Sequence, residues 1–412
     1  METKAVFPPG SFGLITGLTG MNPNDLLAAF NSRDDYKIIK IPKKNGGTRI
    51  INEPNDSLKK FQKRFLKWWL YRIYYREFID NRIYSFLPKR SAIDGVKEHT
   101  KIDSRYVIRL DLKNAFPSIS SQMVSDALTY VVWKEIDYIY AGQPKIDSFG
   151  YRYWKDFYSQ DVLFPIKKVR WFRKILQKDK NKEKIENILS LFISRIVSMT
   201  TLNGYLPQGA PTSPFLLDLV ISHLDIPNKI SNYLNKHNYK NIITVYCDDF
   251  IISTIREPTE EIINGLIKEI EITGLKVNPE KTNIFNRKRI APAVLGVKIG
   301  IKNLEGSKIK PLFNHLPVIK GAKKRFEKNE IWKLNSVVLS KKYVRQTRAM
   351  MHNLANDPAD NHLSRVVIGR MNYLKQIYGS NLPNQLKKPY EEIKNSGIIL
   401  FKKCPFVNEP AT

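Results

Sequence analysis

The amino-acid sequence predicts an α+β fold, and three observations lead there. Strand-like segments rich in β-branched residues come in pairs separated by turn signals, at residues 36–42 with 49–52 and at 242–245 with 250–254. Amphipathic helical periodicity fills much of the sequence between them. From about Pro311 onward strand signals thin out and a helical, basic composition takes over. Strands and helices segregated in this way describe an α+β chain better than an alternating one.

The 412 residues can bury a large core and suggest two or three domain-sized units. A formal net charge of +29 points to a polyanionic partner, with nucleic acid the first candidate. Two cysteines, Cys247 and Cys404, cannot build a disulfide framework or a cysteine zinc site within one chain. No window supplies the roughly 18 apolar residues of a membrane span, and Met1-Glu2-Thr3-Lys4 does not open a signal sequence. The expectation is a protein of the cytoplasm with no membrane partner.

In chain order, the first hairpin turns through Lys43-Lys44-Asn45-Gly46-Gly47-Thr48 into Arg49. Glycine lets backbone approach a ligand and the basic residues suit phosphate, although a solvated loop has the same composition. Over residues 57–77, Leu58, Phe61, Phe65, Trp68, Trp69, Ile73 and Tyr74 recur at helical spacing, interleaved with a face of Lys and Arg. That aromatic stripe reads as core rather than a base-stacking platform. The apolar strand 106–110 ends in Asp111, where a carboxylate is presented at a sheet edge; capping the helix near Pro117 is the alternative, for which Asp111 stands far upstream.

Residues 132–186 are aromatic and basic, suiting either a nucleic-acid groove or a solvated insertion. The loop 206–214, Leu-Pro-Gln-Gly-Ala-Pro-Thr-Ser-Pro, then opens an apolar helix, with Ser213 placed to cap and Pro214 at its first position. Its fixed approach reads as a substrate-facing loop at a helix N-terminus. Tyr246-Cys247-Asp248-Asp249 lies between two apolar runs, which makes a hairpin with adjacent carboxylates at its tip. Like charges there call for a compensating cation if the pair is buried, while a solvated turn is the alternative. With Asp111, these acids form the donor set for phosphoryl transfer by two divalent ions, and magnesium suits all-oxygen ligands. A helix over 259–273 leads to Gly274-Leu275-Lys276-Val277-Asn278-Pro279-Glu280-Lys281-Thr282 and to strands near 294–299.

The ordered series Arg109-Leu-Asp111-Leu-Lys-Asn-Ala-Phe116, the loop 206–214, Tyr246-Cys-Asp248-Asp249, the segment 274–282 and Leu295-Gly296 resembles motifs A to E of reverse transcriptases. The turn at 43–49 resembles their fingers hairpin. The resemblance covers residues 36 to 375 and implies a right-hand polymerase: an N-terminal region and fingers over 1–105, a palm with an antiparallel sheet over 106–310 carrying a fingers insertion at about 132–200, and a helical thumb over 311–412.

It also implies roles. Asp111, Asp248 and Asp249 would hold two Mg2+ ions, with Lys281 as a candidate proton donor to pyrophosphate. Arg49, Lys43, Lys44, Gln208 and Gly209 would contact the incoming dNTP, and Phe116 would exclude a ribose 2′-hydroxyl. Tyr246, Leu295, Gly296 and Arg370 would meet the primer or the RNA–DNA hybrid.

The segment Gly369-Arg370-Met-Asn-Tyr-Leu looks like bacterial retron and defence-associated enzymes. Val294-Leu295-Gly296 stands where retron enzymes usually carry Val-Thr-Gly, and Cys247 where alanine is more usual. The resemblance therefore leans to the defence-associated group outside retrons, its type 2 members nearest, in which a structured non-coding RNA is copied into cDNA against phage. A retron enzyme making branched RNA–DNA, and an RNA-binding scaffold with an idle site, are the competing readings. Template, priming and oligomeric state are not specified by the sequence.

Overall fold

A computed structural model describes residues 9–42, 46–75, 78–102, 104–140, 182–286, 293–294, 297–299, 337–339, 341–357, 360–378 and 384–395. Lys43, Lys44, Leu295, Gly296, the boundary expected at 311 and most of the insertion lie outside these residues.

The N-terminal part begins with helices α1 (Pro9–Thr19) and α2 (Pro23–Asn31), followed by strands β1 (Tyr36–Pro42) and β2 (Thr48–Pro54). These strands pair antiparallel from Tyr36↔Pro54 to Pro42↔Thr48 and form a separate two-stranded ribbon. Helix α3 (Asp56–Phe65) starts at Asn55, whose side chain accepts from the Leu58 amide 2.9 Å away. A π-helical stretch, Leu66–Leu70, continues it into α4 (Tyr71–Tyr75). Leu58, Phe61, Phe65, Trp69 and Ile73 are buried and Trp68 and Tyr74 are half-buried, so most of the aromatic stripe is core. Phe61 and Phe65 stack at 5.6 Å and Trp69 meets Phe192 edge-on.

The central sheet has the order β4-β5-β3-β6, built from β3 (Tyr106–Asp111), β4 (Asn241–Tyr246), β5 (Asp249–Thr254) and β6 (Asn283–Asn286). All its pairings are antiparallel. Strand β5 is buried throughout, its centre being the apolar run Phe250-Ile251-Ile252. Helix α5 (Ala92–Glu98) precedes β3, while α6 (Ala115–Ser118), α7 (Ser121–Tyr140), α8 (Lys182–Thr200), α9 (Ser213–His223), α10 (Ile226–Lys236) and α11 (Glu260–Glu271) follow in chain order. One core cluster joins the N-terminal helices, α7 to α11 and one side of the sheet.

A second cluster joins Val107 and Ile251 of the sheet, and Ile93 and Val96 of α5, to the C-terminal helices α12 (Lys341–Asn356), α13 (Asn361–Tyr378) and α14 (Asn384–Asn395). His99, just past α5, is buried on this side and bridges Thr244 Oγ1 of β4 at 2.7 Å and Ser253 Oγ of β5 at 2.9 Å. Short strands at Ala293–Val294, Val297–Ile299 and Val337–Leu339 form a three-stranded sheet, and α5 touches its last two strands. Among the described residues, no helix is long and apolar enough to cross a membrane.

Candidate active site

Strand register builds the site. Asp111, the last residue of β3, lies directly opposite Asp249, the first of β5, and Asp249 is also paired with Tyr246 of β4. Facing residues of an antiparallel pair point to one side of a sheet, so Asp111 and Asp249 share a face. Cys247 and Asp248 form a two-residue hairpin loop, with Cys247 in the left-handed region at φ 59°. The turn is tied to β3 where the Leu112 amide donates to the Asp248 carbonyl at 2.8 Å. Buried apolar strands thus end together at one edge, and the acids stand where the apolar runs stop.

Two protein cations sit on two of these carboxylates. Arg109, two residues before Asp111 on the same strand face, donates to Asp249 in bidentate fashion at 2.8 and 2.7 Å. Lys281 donates to both Asp111 oxygens at 2.9 Å. Burial nevertheless raises the Asp249 carboxyl above the ordinary carboxylate range; Arg109 opposes the rise, and Asp248 and Asp111 add to it. Burial also raises the Cys247 thiol far above its usual range, with the field of Asp248 next. That fits a small packed residue rather than a nucleophile.

The segment carrying Lys281 is held by backbone contacts. Val277 bridges to Leu112, the Asn278 amide donates to the Asp111 carbonyl at 2.7 Å, and the Lys113 amide donates to the Lys276 carbonyl at 2.8 Å. A short 3-10 turn, Pro279–Lys281, opened by the Asn278 side chain, then presents the lysine.

Three oxygen-donor acids at one sheet edge fit a hard divalent cation in ligand chemistry. Among the described residues, however, no group of three metal-ligating side chains is gathered as a ready cage. An ion on Asp111 would meet the Lys281 ammonium, which already bonds both of its oxygens.

The other expected residues fall around this edge. The loop carrying Gln208 and Gly209 meets the β1–β2 ribbon: the Asn52 amide donates to the Gln208 carbonyl at 2.7 Å. Gly209 has φ 120°, and a Cβ there would lie 2.6 Å from Ile51 Cγ2 and 3.0 Å from the Asn52 carbonyl oxygen, so glycine is required. The expected Ser213 cap does not form. Thr212 takes the cap position without a side-chain bond, and the Ser213 hydroxyl is buried with no hydrogen-bond partner, because the loop has already turned helical at Thr212. Phe116 in α6 is half-buried against the main core. Asn114, in the left-handed region, precedes α6, so Asp111 does not cap it.

Arg49 is exposed on the ribbon, opposite Ile41. Arg370 of α13 is turned inward: it donates to Thr347 Oγ1 at 2.8 Å and to the Tyr343 carbonyl at 3.1 Å, and stacks over the Tyr343 ring at 4.0 Å. That engagement holds the C-terminal helices together. Arg109 and Asp218 are two residues to which the sequence assigned no role. The i−2 position to Asp111 on a strand was the available signal for the first, and a lone acid in the apolar run of α9 for the second.

Residues 41–299 match the family model of the reverse transcriptase (RNA-dependent DNA polymerase). The chain belongs to that family. It is 25% identical over 294 residues to the retron Ec73 reverse transcriptase of Escherichia coli, covering 70% of this chain and 76% of that protein. It is 23% identical over 283 residues to the retron Mx65 reverse transcriptase of Myxococcus xanthus, covering 68% of this chain. The chain spans only 55% of the length of that Myxococcus protein. Apo telomerase from Candida Tropicalis overlaps it with a TM-score of 0.44 at 13% identity, covering 89% of this chain and 58% of that one. The family assignment rests on the sequence match. In this reverse transcriptase, Asp111 closes β3, Asp249 opens β5 and Asp248 lies in the turn between β4 and β5.

Proposed function

We propose that this protein is an RNA-directed DNA polymerase that copies a structured non-coding RNA into cDNA in the cytoplasm, with antiphage defence as its biological role. One observation carries the polymerase reading: Asp111 stands in register with Asp249, and Asp248 adjoins it at the tip of the same sheet edge. The net charge of +29 supports an RNA template and an RNA–DNA hybrid as partners.

In this reading Asp111, Asp248 and Asp249 hold two Mg2+ ions, which supply charge stabilisation for in-line displacement at the α-phosphate of a dNTP. Lys281, once released from Asp111, faces the leaving pyrophosphate and gives up a proton or stabilises its charge. Arg49, with Lys43 and Lys44, binds the triphosphate, and the Gln208-Gly209 loop orients the nucleotide. Phe116 excludes the 2′-hydroxyl, and Tyr246, Leu295 and Gly296 support the primer end. The polymerase parts are fingers over 1–105, palm over 106–310 and thumb over 311–412.

Incorporation of dNTPs on an RNA template, dependent on Mg2+, is expected for the native protein and lost in the Asp248→Ala, Asp249→Ala double variant. Normal extension by that variant would sink the metal assignment. The similarity to two retron reverse transcriptases favours a second reading, a retron-type product. A 2′-5′ branch in nucleic acid copurifying with the protein would select it, and an unbranched cDNA would select the first.

A further inference from the structure

Strand β4 lies at the edge of the central sheet, and its outer side is covered by residues 78–91, an irregular segment held at several points. Ile83 bridges Val245 in parallel; the Val245 amide donates to the Arg82 carbonyl and the Tyr84 amide to the Val245 carbonyl, each at 2.9 Å. One residue beyond Val245 is Tyr246, and the Phe86 ring lies 5.9 Å from the Tyr246 ring. Phe86 itself is exposed and holds a left-handed backbone at φ 48°, an uncommon conformation for a bulky residue. The segment therefore clamps the strand that delivers the catalytic turn.

Helix α9 holds the clamp from behind. Ser222 Oγ accepts from the Asp80 amide at 2.9 Å, and one turn earlier Asp218 Oδ1 accepts from Ser85 Oγ at 2.6 Å. Residues at i and i+4 share a helix face, so the two contacts are adjacent pegs in one wall. Asp218 and Ser85 are both fully buried, and Asp218 Oδ2 has no hydrogen-bond partner. An acid placed in an apolar helix, carrying an orphan oxygen, is costly for stability unless its one bond is needed.

We propose that Asp218 is a positioning residue for the catalytic hairpin: through Ser85 it seats the 82–86 segment on β4, and that segment fixes Tyr246 and the turn bearing Asp248. The inference rests on the polymerase reading of the Asp111–Asp249 edge, and neither Asp218 nor Ser85 touches the reacting atoms.

Primer extension by the full chain tests it, with kcat and the KM for dNTP measured separately. Ser85→Ala and Asp218→Leu are each expected to lower kcat by about tenfold or more, within the range that a misplacement near 1 Å produces, while KM stays unchanged. Asp218→Asn keeps an acceptor for Ser85 and is expected to stay within about twofold of the native kcat. The Ser85→Ala, Asp218→Leu double variant is expected to be no slower than the worse single, since both break one link. Where Asp218→Leu fails to fold, Ser85→Ala decides the matter below its melting temperature. Native kcat in Ser85→Ala, or losses that simply multiply in the double variant, would overturn the inference. Absence of extension by the native chain would instead overturn the polymerase reading on which it rests.

Discussion

Lys281 donates to both carboxylate oxygens of Asp111 at 2.9 Å, and the two residues meet although 170 positions separate them in sequence. Asp111 is buried while the Lys281 side chain is 56% exposed. The ammonium thus neutralises the acid that a divalent ion would bind, and its exposed stem leaves it free to withdraw.

Lys281→Met is expected to lose about 1–3 kcal/mol of stability in the presence of a chelator, the range for leaving a buried polar partner unsatisfied. Mg2+ should restore more of the melting temperature in this variant than in the native chain, because the ion then binds Asp111 without a competitor. Thermal unfolding with and without Mg2+ reads both effects. An equal Mg2+ shift in the two proteins would refute competition at Asp111.

Replacing Arg109 with Leu removes the bidentate partner of a buried carboxylate. Lower stability and a fall in extension rate of at least about tenfold are expected, and Arg109→Lys should recover only part of either, because an ammonium cannot reproduce the planar fork. Melting curves and single-turnover extension check this; full recovery by lysine would show that charge alone suffices.

Gly209→Ala forces a Cβ to within 2.6 Å of Ile51 at φ 120°. The loop must move away from β2, and the link between Asn52 and Gln208 breaks. A raised KM for dNTP is expected, of about tenfold, with a smaller change in kcat. Steady-state kinetics on a fixed RNA template would decide it.

Asp218 gives a pH signature. Burial pushes its carboxyl well above the ordinary range, opposed only by Ser85. In the unfolded chain the acid ionises above about pH 4, whereas in the folded chain it holds its proton to higher pH, so between the two the folded state binds more protons and this residue's contribution to stability falls as pH rises. Asp218→Asn cannot ionise. Its melting temperature should exceed that of the native chain increasingly above about pH 4, and the gap should narrow below it. A pH-independent difference would contradict the neutral buried acid.

Much of the site was legible in sequence because short apolar strands that stop at acids carry their own signal. Asp111 after 106–110 and Asp248-Asp249 between two apolar runs mark one sheet edge. The aromatic stripe of α3 was legible for the same reason, since periodicity reports burial. Less was legible wherever a residue's partner is remote. The expectation that Ser213 caps α9 failed because the loop turns helical one residue earlier, and Arg370 turned inward because Tyr343 and Thr347 offered it partners across a helix pair.

By itself the sequence determined the element types, the order of the motifs, the family and the identity of the acids, all of which depend on local pattern and spacing. Only the tertiary structure decided that Asp111 faces Asp249 in register, that Arg109 and Lys281 occupy those acids, and that Asp218 reaches Ser85 across 133 positions. Pairing register and buried hydrogen-bond partners are contacts between distant segments, fixed by which groups must be satisfied when the strands and helices close on one another. A chain read residue by residue carries the donors and acceptors; folding assigns them to each other.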